Sequence, residues 1–465
     1  MSTMVERLSP LFGALDETGS GTISCSQFVS VLKKLGQAVA FTDAELETVL
    51  SEVGADGNGD IKIESFLAWL TQTQRPAEEP ASPRFLATGT AKQVCIVGSG
   101  NWGCAIAKVI GENTAKLEGF FNKQVNMWMF DEQVEIQGQK RMLSEVFNET
   151  HENVKYLPGI KLPENIVAIP DIQQAVADAD ILVWVLPHQF VPRTVQNMGE
   201  PKPGSVSVSL IKGGLELTGG KLGLCSDLLR QLLQHEVAVL MGANVANEVA
   251  EGQFCEATLG CNSREHSRIL RKLFDSPKFR VRAVDDIPGV ELCGALKNVV
   301  ALAAGFSDGL GYGGNTKAAL IRIGLQEMML FIRYFYPNVR ESTFFESCGL
   351  ADLITTSFGG RNRKCAEAFA RANGQRSWED IEKELLNGQK LQGTLTAEEI
   401  WPVMLEHKLC EHLPLITAIY KVAFQGAPAS SVVELPDPDM LDSAAGAKAE
   451  PSMEAQYVES GLAGA

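Results

Sequence analysis

Val94-Cys95-Ile96-Val97-Gly98-Ser99-Gly100-Asn101-Trp102-Gly103 decides how this chain folds. Four apolar residues in a row have the pattern of a short buried strand, and the run stops at Gly98. Helical spacing begins near Asn101. Strand, glycine-rich turn and helix in immediate succession form a dinucleotide-binding loop. Gly98 permits the tight turn, Gly100 lets backbone approach a pyrophosphate, and Gly103 lets helix and strand pack closely. The helix N-terminus supplies N–H donors and the positive end of a dipole. Ser99, Asn101 and Trp102 belong to the same loop.

Further along, the pattern repeats. Gln124–Phe130, Ile181–Leu186, Val206–Ile211 and Val237–Met241 are apolar strand candidates separated by helical stretches. Continuous apolar strands alternating with helices predict a parallel sheet covered on both faces, the α/β doubly wound class. Asp131, at the end of the second strand, is placed to accept from a ribose 2′-hydroxyl and to repel a 2′-phosphate, favouring NAD. It lies 28 positions after Gly103, beyond the usual spacing of about 20. A solvated acid at a strand end is the other reading. After Asp286 strand patterns cease, and helical spacing runs to about Phe424, so an all-α domain should follow. The segment Arg75–Pro83 holds three prolines and reads as a stiff linker. The expected domains are a small all-α head over 1–75, a linker over 76–92, a Rossmann-type domain over 93–286, a helical domain over 287–435 and an acidic tail over 436–465.

The chain has 465 residues and a formal charge of −16. Residues 1–75 carry a net −5 and residues 434–465 a net −6, so the middle carries only −5. An acidic excess argues against nucleic acid, whose phosphates are held by Lys and Arg clusters. The 10 cysteines are scattered, with neither a CxxC pair nor a Cys/His cluster. They read as reduced, buried thiols, and neither zinc nor a disulfide framework is indicated. No apolar run reaches a membrane-spanning length of about 18 residues. No signal peptide or transit peptide is recognisable, and a cytoplasmic place is expected, with a plastid left open.

Several polar residues sit where chemistry is plausible. Lys297 and Asn298 lie inside the apolar run Glu291–Leu302. A lysine in a cleft can act as a general acid, because desolvation or a second cation lowers its pKa; it can equally snorkel to solvent. Lys212 and Asn244 follow predicted parallel strands, at the end where ligands of open α/β sheets bind, though turn residues read the same way. Gly359-Gly360-Arg361-Asn362-Arg363-Lys364 suits a phosphate or carboxylate, or is a solvated helix start.

Together with Leu186-Pro187-His188-Gln189-Phe190, Ser209–Gly213, Met241–Asn244, Cys293–Val299, Gly305–Gly311, Asp352-Leu353-Ile354-Thr355-Thr356 and Gly388-Gln389-Lys390-Leu391-Gln392-Gly393, these segments closely resemble NAD-dependent glycerol-3-phosphate dehydrogenase of the eukaryotic cytosolic type. The resemblance runs in order from about Gln93 to Val433. It implies Lys297 as the acid/base at the substrate's C2 oxygen, with Lys212, Asp352 and Thr356 in its polar network. It implies Arg361 and Asn362 at the substrate phosphate, and Lys212, Asn244 and Asn298 along the substrate. It implies Phe130, Phe190, Lys212, Ala246, Arg361, Lys390 and Gln392 around NAD, with Gln392 on a closing loop. A homodimer and a small phosphate substrate are the implied partners. The competing classes are an EF-hand regulatory protein with an inactive dehydrogenase-like core, and a related dehydrogenase with a carboxylate substrate.

The head resembles an EF-hand pair. Asp16–Phe28 and Gly54–Phe66 align with EF-hand loops whose starts lie 38 residues apart. Gly21 and Gly59 are the turn glycines, and Ile23 and Ile61 the bridging apolar positions. An EF-hand loop ends on a bidentate Glu at position 12. Gln27 and Ser65 stand there instead. Asp16, Asp56 and Asn58 remain as ligand-type residues, so no firm metal site is expected and calcium binding should be weak or lost. A helical docking or regulatory module is the expected role.

Overall fold

The computed structural model describes residues 22–24, 60–62, 91–218, 221–386 and 388–436. The chain divides into two compact units, Met1–Thr88 and Gly89–Ala465. In the first, Thr22–Ser24 and Asp60–Lys62 pair antiparallel, with Ile23 opposite Ile61. The remaining EF-hand positions, the linker up to Thr90 and the tail from Asp437 lie outside the described residues.

The second unit is built on an eight-stranded sheet. Its strands are β1 (Lys92–Val97), β2 (Phe121–Trp128), β3 (Ile166–Ile169), β4 (Ile181–Trp184), β5 (Val206–Ser209), β6 (Val237–Met241), β7 (Cys255–Gly260) and β8 (Phe279–Val284). The spatial order is β3-β2-β1-β4-β5-β6-β7-β8. The first six are mutually parallel; β7 turns antiparallel to β6, and β8 runs parallel to β7. This is the doubly wound order, in which the chain reverses direction across the sheet beside β1. β4, β5 and β6 are buried along their whole length, which is why their sequences are continuously apolar or small.

The four predicted strands beyond the first are present, with shifted ends: β2 starts at Phe121, and β4 and β5 stop two residues sooner. Three strands carried no recognisable run. β3 has only four residues and is bounded by Asn165 and Pro170. β8 alternates buried Phe279 and Val281 with exposed Arg280 and Arg282, the pattern of a half-covered edge strand rather than a central one.

No strand follows Val284 among the described residues. The helices there include α2 (Ile287–Gly309), α3 (Gly314–Phe335), α4 (Asp352–Gly359), α5 (Arg361–Arg371), α6 (Gln392–Glu406) and α7 (Pro414–Phe424), numbered after α1 (Asn101–Lys116) of the sheet, with a further helix, Trp378–Leu386, between α5 and α6. Asp286 caps α2 by accepting from Gly289 N–H at 2.9 Å. Nearly all of α2 is buried, so its neighbours wrap it on every side. It is also the one described helix long and apolar enough to cross a membrane; here that apolarity belongs to a core helix. A Cβ at Gly305 would stand 2.3 Å from Arg363 O. The missing side chain is therefore what lets α5 lie against α2 and brings Asn362 alongside Asn298.

Candidate active site

The glycine loop joins β1 to α1 as the spacing predicts. Gly98 has φ +122°, and a Cβ there would sit 2.6 Å from Val185 O. A Cβ on Gly103 would sit 2.6 Å from Gly98 O. Both positions are closed to any side chain by backbone, whereas nothing lies within 4 Å of a Cβ on Gly100. The loop is thus tight beneath and open above. No side chain caps α1, and its first-turn N–H groups have no partner within the helix. An open glycine face beneath a free helix N-terminus fits a dinucleotide pyrophosphate. Phe130 and Phe190 are 72% and 52% exposed, apolar surface that a bound nucleotide could cover. Trp102 instead packs toward Phe279, and Asn101 donates to Tyr156 O and Asn247 Oδ1. Ser99 is buried, its carbonyl accepting from Asn153. Both oxygens of Asp131 accept from Ser144, one from its N–H and one from its hydroxyl, so this acid also anchors the start of the helix Leu143–Thr150.

A second group forms where the sheet meets the helices. Lys297, in the middle of α2, is 5% exposed. Its Nζ donates to Asp352 Oδ1 at 2.6 Å and to Thr356 Oγ1 at 2.5 Å. Lys212, past the end of β5, donates to the other oxygen, Asp352 Oδ2, at 2.7 Å, and to Gly242 O at 3.3 Å. One buried carboxylate therefore separates two ammoniums. Asp352 and Thr356 share a face of α4 because they are four apart, and Thr356 Oγ1 also donates to Asp352 Oδ1 at 3.2 Å. A single π-helical turn, Ser347–Ala351, leads into α4. It is pinned to the sheet where Cys348 N–H donates to Thr258 Oγ1 and Ser347 Oγ to Glu256 O. Such turns often mark functional sites.

Burial sets the electrostatics. It drives the Lys297 ammonium down to about 7, helped by the Lys212 charge, while Asp352 opposes the shift. Burial also works to raise the Asp352 carboxyl, and the two lysines overcome it, holding the acid below its ordinary range. A lysine that titrates near neutrality beside a fixed carboxylate can both give and take a proton.

Asn298, next to Lys297, accepts at Oδ1 from Asn362 Nδ2 at 2.8 Å, and Asn362 Oδ1 accepts from Gly393 N–H at 2.8 Å. A Cβ on Gly393 would stand 2.5 Å from Asn298 O, which accounts for the glycine ending the Gly388–Gly393 loop. Arg361, at the exposed start of α5, donates to Gln389 Oε1 at 2.9 Å. Lys390 pairs with Glu382 at 3.0 Å, and Leu391 N–H donates to the same carboxylate at 2.9 Å. Asn244 donates to Glu256 O at 2.9 Å, and Ala246 opens the short helix Ala246–Ala250. Glu382 and Glu399 carry no motif and escape sequence reading: Glu382 holds a loop backbone N–H nine residues on, and Glu399 one that is 184 residues away. Among the described residues no cluster of metal-ligating side chains occurs.

Residues 93–267 match the family model for NAD-dependent glycerol-3-phosphate dehydrogenase N-terminus, and residues 286–434 the model for its C-terminus. The chain is 52% identical over 346 residues to bovine cytoplasmic glycerol-3-phosphate dehydrogenase [NAD(+)], covering 74% of this chain and 97% of that one. It is 54% identical to the Drosophila melanogaster cytoplasmic protein of the same name, over 71% and 89% of the two chains. Among solved structures, the yeast glycerol-3-phosphate dehydrogenase superposes with a TM-score of 0.68 at 40% identity, over 76% of this chain and all of that one. The Plasmodium falciparum glycerol-3-phosphate dehydrogenase superposes with a TM-score of 0.69 at 37% identity, over 74% and 95%.

Proposed function

The chain belongs to the NAD-dependent glycerol-3-phosphate dehydrogenase family, and from its site we infer how it interconverts dihydroxyacetone phosphate and sn-glycerol 3-phosphate. Bound NAD supplies the hydride acceptor, and NADH the donor, at the substrate's C2 carbon. Lys297 holds the proton at the C2 oxygen, giving it to the ketone in one direction and taking it from the alcohol in the other. Lys212 adds a second cation beside that oxygen, so alkoxide charge is stabilised as it develops. Asp352 and Thr356 orient the Lys297 ammonium. Arg361 and Asn362 hold the phosphate and so fix C2 relative to Lys297; Asn298 and Asn244 line the same cleft. Gly98 to Gly103, Phe130, Asp131, Phe190, Ala246, Lys390 and Gln392 surround the cofactor.

The single observation that carries these roles is Asp352 bridging Lys297 and Lys212, which holds two ammoniums together in a buried place. Lysines are almost never fully buried unless paired, and here one buried carboxylate is shared by two of them. Lys297→Ala tests it: turnover should be lost while NADH still binds. A variant with wild-type turnover would refute the assignment.

The finer organisation is also proposed. The enzyme core is residues 93–435, split near Asp286, flanked by an acidic head and tail. The head is a degenerate EF-hand pair kept as a docking or regulatory module. The pairing of Ile23 with Ile61, the bridging positions of the two loops, supports that reading. A homodimer is the assembly the family implies, and sedimentation of the full chain would test it. The bovine and Drosophila relatives are named cytoplasmic, which supports the same place for this chain.

A further inference from the structure

We propose that Glu399 is a positioning residue of the dehydrogenase site, tying the turn after Lys212 and the turn before Phe190 to helix α6. The proposal rests on the roles inferred above for Lys212, Phe190 and Gln392. Gly213 and Gly214 follow Lys212 with φ +99° and +83°. Two left-handed residues in succession swing the chain sharply away from the end of β5. That turn has no sheet partners to hold it. Glu399 supplies the hold: its Oε2 accepts from Leu215 N–H at 3.3 Å, and the carboxylate also receives the Gly214 N–H. Consecutive backbone N–H groups closing on a carboxylate form an anion nest, here filled by the chain's own acid.

The other oxygen, Glu399 Oε1, meets His188 Nε2 at 3.4 Å. His188 lies flat against the same turn, because a Cβ on Gly214 would stand 2.7 Å from His188 Cβ. His188 opens the short turn His188–Phe190, which presents Phe190. One side chain thus couples three segments with assigned roles: the lysine beside the reacting oxygen, the aromatic beside the cofactor, and the helix that begins with Gln392.

A separate observation points to a polar ligand at this corner. Three buried polar atoms there have no partner: His188 Nδ1, Gln392 Oε1 and Thr396 Oγ1. All lie within 4.0 Å of the point where a Gly213 side chain would begin. Gln392, Thr396 and Glu399 are spaced four and three apart, so they form one stripe of α6. Leaving buried polar atoms unpaired is costly. The polar end of the cofactor, carrying both donors and acceptors, is the chemistry that would satisfy them. Moving the stripe should therefore be felt first as cofactor affinity.

Glu399→Ala and Glu399→Gln in the full chain test this with steady-state kinetics and thermal melting. Glu399→Ala should raise KM for NADH about tenfold and lower kcat about tenfold, with KM for dihydroxyacetone phosphate changed less than threefold. Glu399→Gln keeps the side-chain length and one acceptor, and should recover most of both losses. A merely structural role would lower the melting temperature without moving KM for NADH. A wild-type KM for NADH in Glu399→Ala would overturn the proposal; if the alanine variant does not fold, Glu399→Asp, which keeps the charge but draws the carboxylate back by one methylene, takes its place, and a wild-type KM for NADH in it would overturn the proposal equally. If the wild-type chain itself failed to oxidise NADH with this substrate, the function would be refuted rather than the tie.

Discussion

A lysine ammonium in the middle of an apolar helix needs a reason to be there. For Lys297 the partner is Asp352, 2.6 Å away, and burial, working against that partner, brings its pKa down to about 7. The sign of the pH dependence follows. Reduction of the ketone needs the protonated lysine, so its rate should fall as pH rises through about 7. Oxidation of the alcohol needs the neutral amine, so its rate should rise over the same range. Initial rates in both directions across pH 5.5 to ~9 would check the crossing, and parallel profiles would contradict it. Removing the group in Lys297→Ala should cost about 10²- to 10⁴-fold in kcat, the usual worth of general acid–base catalysis. Arg361→Ala should act differently. Loss of one charged anchor for a phosphate, worth about 2–5 kcal/mol, should raise KM for dihydroxyacetone phosphate about 30-fold or more and leave KM for NADH less affected. At this scale position alone marks Lys297, Lys212, Asn244 and the run around Arg361 as candidates, while their roles, and the part of Asp352 and Thr356, come only from the family resemblance. Nothing in Asp352-Leu353-Ile354-Thr355-Thr356 alone says that its acid will divide two lysines, one from the turn after β5 and one from α2.

Elements were easier to read, within limits set by burial. The central strands announce themselves because both faces are covered, and β8 does not because its arginines alternate with its core residues. The loop Gly98–Gly103 is legible because its glycines answer to backbone, at 2.6 Å from Val185 O and Gly98 O. Caps supplied from a distance are invisible in sequence. Glu327 of α3 accepts from Leu415 and Ile416 N–H at 2.7 and 2.8 Å, doing for the start of α7 what a local Ser or Asp would ordinarily do. Burial pushes this carboxyl up to about 7. Glu327→Ala would strand both donors in the core, at a cost of about 2–3 kcal/mol. The melting temperature should drop by roughly 4–12 °C, with kcat of the folded fraction unchanged. An unchanged melting curve would remove Glu327 from the account of the helical layer.

The molecule as a whole sets an acidic balance against an anionic substrate. Most of the −16 charge belongs to residues 1–75 and 434–465, while the stretch between is only −5 and holds Lys212, Lys297 and Arg361, the cations of the proposed substrate site. The matched family regions run from 93 to 434. A chain of residues 89–465, which begins at the boundary of the second compact unit, should therefore keep kcat within about threefold of the full chain. The head's loops end on Gln27 and Ser65 rather than on the bidentate acid that a calcium loop uses. Titration calorimetry of calcium into the full chain should give no micromolar binding heat, and such a heat would show that Asp16, Asp56 and Asn58 suffice. The most direct measurement is NADH consumption by the purified full chain with dihydroxyacetone phosphate, beside Lys297→Ala. The account predicts saturable, substrate-dependent oxidation that falls by about 10²-fold or more in Lys297→Ala while that variant still binds NADH. A wild-type chain that binds NADH yet does not consume it with this substrate, or an alanine variant as fast as wild type, would contradict it.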